Sequence, residues 1–154
     1  MKSLFLMILI FTSVLISGAS SCHNEDDHTN TGNKTPMANG KIKITVNSQT
    51  FTATLLDNNS AIAFKERLPI TIKMTELNGN EKYYDLPNSL PTNSSNPGTI
   101  KNGDLMLYGS KTLVLFYKTL STSYSYTKLG SIDDVTGLAS ALGSGNVTLT
   151  FESE

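Results

Sequence analysis

Apolar residues fall at every second position in short runs along most of the chain, and this period constrains the fold more than any other feature. From Lys41 to Asn47, Ile42, Ile44 and Val46 share one face while Lys43 and Thr45 take the other. From Thr50 to Leu56 the apolar face is Phe51, Ala53 and Leu55. Alternation of this kind is the mark of a strand with one face buried, and Asn47-Ser48-Gln49 supplies the turn of an antiparallel hairpin. Ile70, Ile72 and Met74 alternate again, and Asn78-Gly79 turns the chain into Lys82-Tyr83-Tyr84-Asp85-Leu86.

A second hairpin occupies Asn102 to Lys118, turning at Gly109-Ser110-Lys111. Its alternation puts Leu105, Leu107, Leu113 and Leu115 on the core face, with Met106, Tyr108 and Phe116 opposite. Thr127 to Ile132 forms a further short strand, and Val147, Leu149 and Phe151 mark a last one.

The period changes in two places. After the cap-rich Asp57-Asn58-Asn59-Ser60, Ala61, Phe64 and Leu68 lie on one helical face and Pro69 ends the run. Thr136 is placed to cap a second helix carrying Leu138, Ala141 and Leu142, with Gly143 just past its end. Pro87 to Gly98 is rich in Pro, Asn, Ser and Thr and reads as an exposed loop. Leu120 to Tyr126 reads as a surface crossing. Seven or eight short strands with two short helices predict a mainly β protein, a closed or nearly closed antiparallel barrel.

From Lys41 to Glu154 the chain has ten Lys or Arg and ten Asp or Glu. That balance gives no electrostatic footprint for nucleic acid. The segment is long enough to bury roughly two-thirds of its unfolded surface in one domain. It contains no His, Cys or Trp, because His23, His28 and Cys22 all precede it. A Ser-His or Cys-His nucleophile pair is therefore excluded, as is a zinc site built on His or Cys. Gly143-Ser144-Gly145 lacks the strand-before, helix-after setting of a phosphate loop and reads as a turn; no cofactor is expected.

The first residues have a different character. Lys2 precedes an apolar run from Leu4 to Ile16, followed by small residues up to Ser21. This is the layout of a secretory signal over residues 1–21, and the run is short for a membrane-spanning helix. The zone ends in Ala19-Ser20-Ser21-Cys22, which resembles the lipobox of bacterial lipoproteins, in its looser Bacteroidetes-like form because Ala19 stands where Leu is usual. The resemblance implies a lipid on Cys22 and attachment to the outer membrane. His23-Asn24-Glu25-Asp26-Asp27 resembles the acidic export signal of surface lipoproteins, or is an ordinary solvated charge run. Residues 22–40 are predicted to be an acidic and flexible tether, and 41–154 the folded domain.

The order of elements is similar to that of cyclophilins, and in particular of small bacterial cyclophilin-like proteins. The stretches that carry the likeness are Phe51-Thr52-Ala53-Thr54-Leu55 with the helix up to Leu68-Pro69, then Tyr83-Tyr84-Asp85-Leu86-Pro87 and Pro97 to Asp104. Leu113-Val114-Leu115-Phe116-Tyr117 and Lys128-Leu129-Gly130-Ser131-Ile132 complete it. The resemblance implies a closed eight-stranded barrel with a helix at each end. Cyclophilins that isomerise prolyl bonds place an Arg beside the substrate amide, backed by Gln, His, Trp and Phe. Here Trp and His are missing, and the only Arg, Arg67, falls at the end of the first helix as a solvated charge. Lys73 lies near the position of the catalytic Arg, but a mobile ammonium does not replace a planar guanidinium.

Two functions remain. One is a lipid-tethered binding or accessory module that takes a peptide or small ligand at an aromatic groove of Tyr84, Met106, Tyr108 and Phe116. The alternative is an envelope peptidyl-prolyl isomerase using Lys73. A structural role in an envelope complex is a third reading. The six tyrosines (Tyr83, Tyr84, Tyr108, Tyr117, Tyr124 and Tyr126) are either half-buried barrel residues or the wall of such a groove. Glu81, Asp85, Asp104, Asp133 and Asp134 could include an acid–base pair, although all fall where turns and strand ends favour carboxylates. No metal site is expected.

Overall fold

The computed structural model describes residues 38–154. The expected signal segment, Cys22 and most of the expected tether lie outside the described residues. The strands in chain order are β1 (Ala38–Val46), β2 (Gln49–Leu56), β3 (Ile70–Leu77), β4 (Glu81–Asp85), β5 (Thr99–Ile100), β6 (Asp104–Tyr108), β7 (Thr112–Phe116), β8 (Leu120–Ser121), β9 (Tyr126–Ile132) and β10 (Val147–Ser153). Helix α1 (Asn59–Lys65) follows β2, and α2 (Leu138–Leu142) precedes β10. Eight strands close into an antiparallel barrel in the order β1-β10-β3-β4-β7-β6-β9-β2, and β5 and β8 form a separate two-stranded ribbon.

The period-two pattern produces this barrel directly. Ile42, Ile44, Val46, Ala53, Leu55, Met74, Leu105, Leu107, Leu113, Leu115, Leu149 and Phe151 point inward and are fully buried in one cluster. Each of these side chains except that of Ala53 contributes about 1.5–3 kcal/mol relative to exposure. The helices plug the two ends. Asn58 caps α1 through its side-chain oxygen, which accepts from the Ala61 amide at 2.9 Å, and its Nδ2 donates to the Lys128 carbonyl at 3.0 Å. Phe64 then meets Phe151 edge-on at 5.8 Å across the barrel mouth. At the other end Leu138, Ala141 and Leu142 of α2 face inward.

Several details depart from the pattern-based expectation. β1 starts at Ala38, with a register shift against β2 around Gly40 (φ 94°), so the strand takes in the last residues assigned to the tether. The cap position of α2 is Gly137 in a left-handed conformation (φ 80°) and not Thr136; the Thr136 amide instead closes a turn onto Asp134 at 2.9 Å. The loop after β4 is not uniformly exposed. Leu90 is buried, its amide bonded to the Ser110 carbonyl at 2.8 Å, and Arg67 holds the carbonyls of Asn88 and Ser89 at 2.8 and 2.7 Å. Arg67 is thus a clamp on that loop. Leu120 and Ser121, in the expected surface crossing, pair with β5.

Candidate functional site

The hairpin from β3 to β4 sets the site. Its turn holds three residues, Asn78, Gly79 and Asn80, with positive φ at Asn78 (56°) and Gly79 (68°). The resulting register pairs Glu76 with Lys82 and Leu77 with Glu81. Because the side-chain period is two, that register decides which residues face the barrel interior. Lys82 and Tyr84 turn inward; Glu81, Tyr83 and Asp85 turn outward.

Outside the barrel lies a second apolar cluster: Ile100, Met106, Val114 and Phe116, all buried, with Tyr83, Leu120 and Tyr126 against it. The β5–β8 ribbon contributes Ile100 and Leu120 to this cluster. Val114, Tyr83, Leu120 and Tyr126 in turn form part of the lining of a cavity of about 580 Å³ along the outer face of β4 and β7. The volume falls in the range of small-molecule sites. Tyr108 and Tyr124 stand at its rim, 46% and 62% exposed, ring centroids 6.1 Å apart at 87°. Tyr126 leans on Tyr108 (5.5 Å) and stacks edge-on against Phe116 (5.7 Å), which ties the rim to the apolar floor. Four of the six tyrosines therefore border one space.

The polar lining is acidic. Glu81 and Asp85 flank Tyr83 along β4, and no Lys or Arg among the described residues lines the cavity. Asp85 accepts from the Thr112 hydroxyl at 2.6 Å. Glu81 has no hydrogen-bond or ion-pair partner among the described residues. Its half-burial, and then the nearby Glu76 charge, push its carboxyl above the usual range. Asn80 also lines the cavity, and its buried side-chain oxygen lacks a hydrogen-bond partner. Burial and the charge of Glu81 raise the Tyr126 hydroxyl.

Of the four residues expected to form a groove, Tyr108 lines the cavity. Met106 and Phe116 are buried in the cluster beneath it, and Tyr84 packs against the barrel core. Lys73 is exposed on β3 opposite Thr148 of β10, away from this lining. The other carboxylates are engaged structurally. Asp104 is buried and holds Lys128 at 2.7 Å and the Lys101 amide at 2.9 Å. Asp133 accepts from the Thr54 hydroxyl at 2.6 Å and Lys41 at 3.1 Å. No group of three or more His, Cys, Asp or Glu that could hold a metal exists among the described residues.

Inside the barrel, close to the turn, lies a feature the sequence pattern did not announce. Lys82 is fully buried, donating to the Glu76 carboxylate and to the carbonyls of Gly143 (2.8 Å) and Gly145 (2.7 Å). Its ammonium also sits 5.2 Å from the centre of the Tyr117 ring, and the Tyr117 hydroxyl donates to Glu76 at 2.8 Å. Burial opposes ionisation of Glu76, but the hydrogen bonds from Lys82, Tyr117 and the Gly79 amide outweigh it and hold the carboxyl below its usual value. Burial, reinforced by the Glu76 hydrogen bond, pushes the Tyr117 hydroxyl up to about 12.

The domain is thus a small closed antiparallel barrel, plugged by two helices and bearing a lateral aromatic cavity. A profile of the Cyclophilin-like family matches residues 44–152, and the chain belongs to that family. Its fold is similar to the solution structure of a hypothetical protein from Archaeoglobus fulgidus (TM-score 0.58, 16% identity), with 79% of this chain and 99% of the other covered. No curated protein matches the sequence.

Proposed function

We propose that the protein is a cyclophilin-like binding module of the bacterial cell envelope, held to the outer membrane by a lipid on Cys22 and without orthodox prolyl isomerase activity. One observation carries the reading of the domain: the lateral cavity is bordered by four tyrosines and two carboxylates and, among the described residues, by no cationic side chain. The cyclophilin way of isomerising a prolyl bond sets a fixed cationic donor near the substrate amide to help weaken its partial double bond. Lys73 stands apart from the cavity and Arg67 is committed to two loop carbonyls. What the cavity offers instead is aromatic contact area with polar tips, suited to holding a peptide or small molecule.

A protease-coupled assay on a proline peptide tests the domain reading. The expected rate equals background in both the parent and Lys73→Ala. A rate above background that Lys73→Ala abolishes would restore the isomerase. Anchoring rests on the Ala19-to-Cys22 pattern. Labelled fatty acid should be incorporated by the parent chain and not by Cys22→Ser; incorporation by the variant would remove the lipoprotein assignment.

A further inference from the structure

We propose that the lateral cavity recognises an organic cation, an alkyl guanidinium or ammonium group seated beside Glu81 and Asn80 among the tyrosine rings. The inference rests on the cavity being the binding site argued above, and it specifies what that site takes.

Three observations converge on this chemistry. The first is an imbalance of hydrogen bonding. The Asn80 side-chain oxygen is buried with no hydrogen-bond partner among the described residues, and beside it the half-buried Glu81 carboxylate makes no hydrogen bond or ion pair with any of them. A buried acceptor left unpaired is costly, and a ligand that brings a donor to the Asn80 oxygen relieves that cost. Guanidinium and ammonium groups are donors only, with no acceptor to conflict with those oxygens. The second is an imbalance of charge. Glu81 and Asp85 line the cavity, and among the described residues no Lys or Arg lines it or forms a salt bridge with either carboxylate. The same domain pairs carboxylates elsewhere: Asp104 with Lys128, Asp133 with Lys41, Glu76 with Lys82. The third is the wall. Tyr83, Tyr108, Tyr124 and Tyr126 line the cavity, and the face of a tyrosine ring attracts a cation through its quadrupole. An anionic ligand would meet two carboxylates here. A purely apolar one would leave both oxygens unsatisfied.

The barrel interior supplies an internal precedent. Lys82, an ammonium on an alkyl stem, is held by a carboxylate, two carbonyl oxygens and the Tyr117 ring. The cavity sets out the same kinds of partner on the outer face of the same strand, with no ammonium of its own.

The test uses the full chain and its own emission. There is no Trp, so intrinsic fluorescence comes from six tyrosines, four of which border the cavity. N-acetyl-arginine amide and a blocked Gly-Gly-Arg-Gly-Gly peptide are titrated against their citrulline counterparts, which keep shape and remove charge. The arginine probes should give saturable changes in emission, with citrulline at least about tenfold weaker, the factor expected for one charge-assisted hydrogen bond. Glu81→Gln should weaken the arginine probes by a similar factor, and Glu152→Gln, on the remote strand β10, should not. Tighter binding of the peptide than of the amide identifies a peptide side chain as the source; equal binding identifies the free headgroup. Equal affinity for citrulline, or an unaffected Glu81→Gln, overturns the cation while leaving the cavity as a binding site. If no probe, charged or neutral (including an Ala-Pro-Phe peptide), alters the emission, the cation proposal falls together with the binding site.

Discussion

Replacing Lys82 by Met removes an ammonium that has no access to solvent and leaves an apolar chain of similar length in its place. Three acceptors lose a donor: the Glu76 carboxylate and the carbonyls of Gly143 and Gly145. Breaking a buried ion pair from one side typically costs about 3–5 kcal/mol. The lower end applies here for two reasons. The Glu76 side chain is 18% exposed and keeps its bonds to the Tyr117 hydroxyl and the Gly79 amide, and both glycines lie in an exposed turn where water can reach. The expected loss is therefore about 3 kcal/mol, or about 12 °C in Tm at roughly 4 °C per kcal/mol for a domain of this size. Thermal and urea unfolding followed by far-UV circular dichroism at neutral pH measure it. The companion double variant Glu76→Leu/Lys82→Met removes both charges and should recover more than half of the loss, because an apolar pair of similar volume often matches a buried ion pair. A Lys82→Met protein within about 1 kcal/mol of the parent would refute the burial argument. So would a double variant as unstable as the sum of its singles.

The other predictions concern separate sites. Glu76 and Asp133 are held below their usual pKa in the folded state, so the stability they contribute is present above the unfolded values of 4.5 and 3.8 and is lost as pH falls below them; acid titration of unfolding should show that decline. Glu81 has the opposite sign: its raised carboxyl contributes most at low pH and less as pH rises past 4.5, so Glu81→Gln should raise Tm at pH 7 and steepen the acid decline. A lowered Tm at pH 7 would show that Glu81 has a partner in the fold. Asn58→Ala removes the α1 cap and the bond to the Lys128 carbonyl and should cost about 2 kcal/mol by urea unfolding. At Gly130 an added Cβ would lie 2.3 Å from the Thr54 carbonyl oxygen, so Gly130→Ala should cost about 3 kcal/mol by forcing β2 and β9 apart; an unchanged Tm would show that the two strands are not so closely packed.

The barrel was legible because period two is a local property and nearly every barrel strand shows it. Ile42, Ile44 and Val46, or Leu113 and Leu115, need only their neighbours in sequence to announce a buried face. The site was less legible because it depends on what covers the opposite face. Met106 and Phe116 alternate out of the barrel and read as a groove wall, but β5 and β8, two residues each and invisible as a periodic signal, bring Ile100 and Leu120 over them. Lys82 shows a related limit. A two-residue Asn78-Gly79 turn would set Glu76 opposite Glu81, whereas counting Asn80 into the turn sets it opposite Lys82. That one-residue difference separates an outward lysine from a buried one, and it also brings Glu81 and Tyr83 to the cavity. The tyrosines were visible as a set, but their convergence on one space was not.

The pairing of β1 with β10 has a consequence for how the domain comes into being. The register that closes the barrel joins Ile42 to Ser153, residues at opposite ends of the domain, and the Glu154 amide reaches back to the Lys41 carbonyl at 3.2 Å. Closure therefore waits for the last strand to be synthesised, and until then β1 and β3 present unpaired edges. The same adjacency makes the order of strands along the gene a matter of convention. A circular permutant that links Glu154 to Ala38 through a short Gly-Ser bridge and opens the chain in the exposed turn at Gly109-Ser110 keeps every barrel pairing while moving the point of closure to β6 and β7.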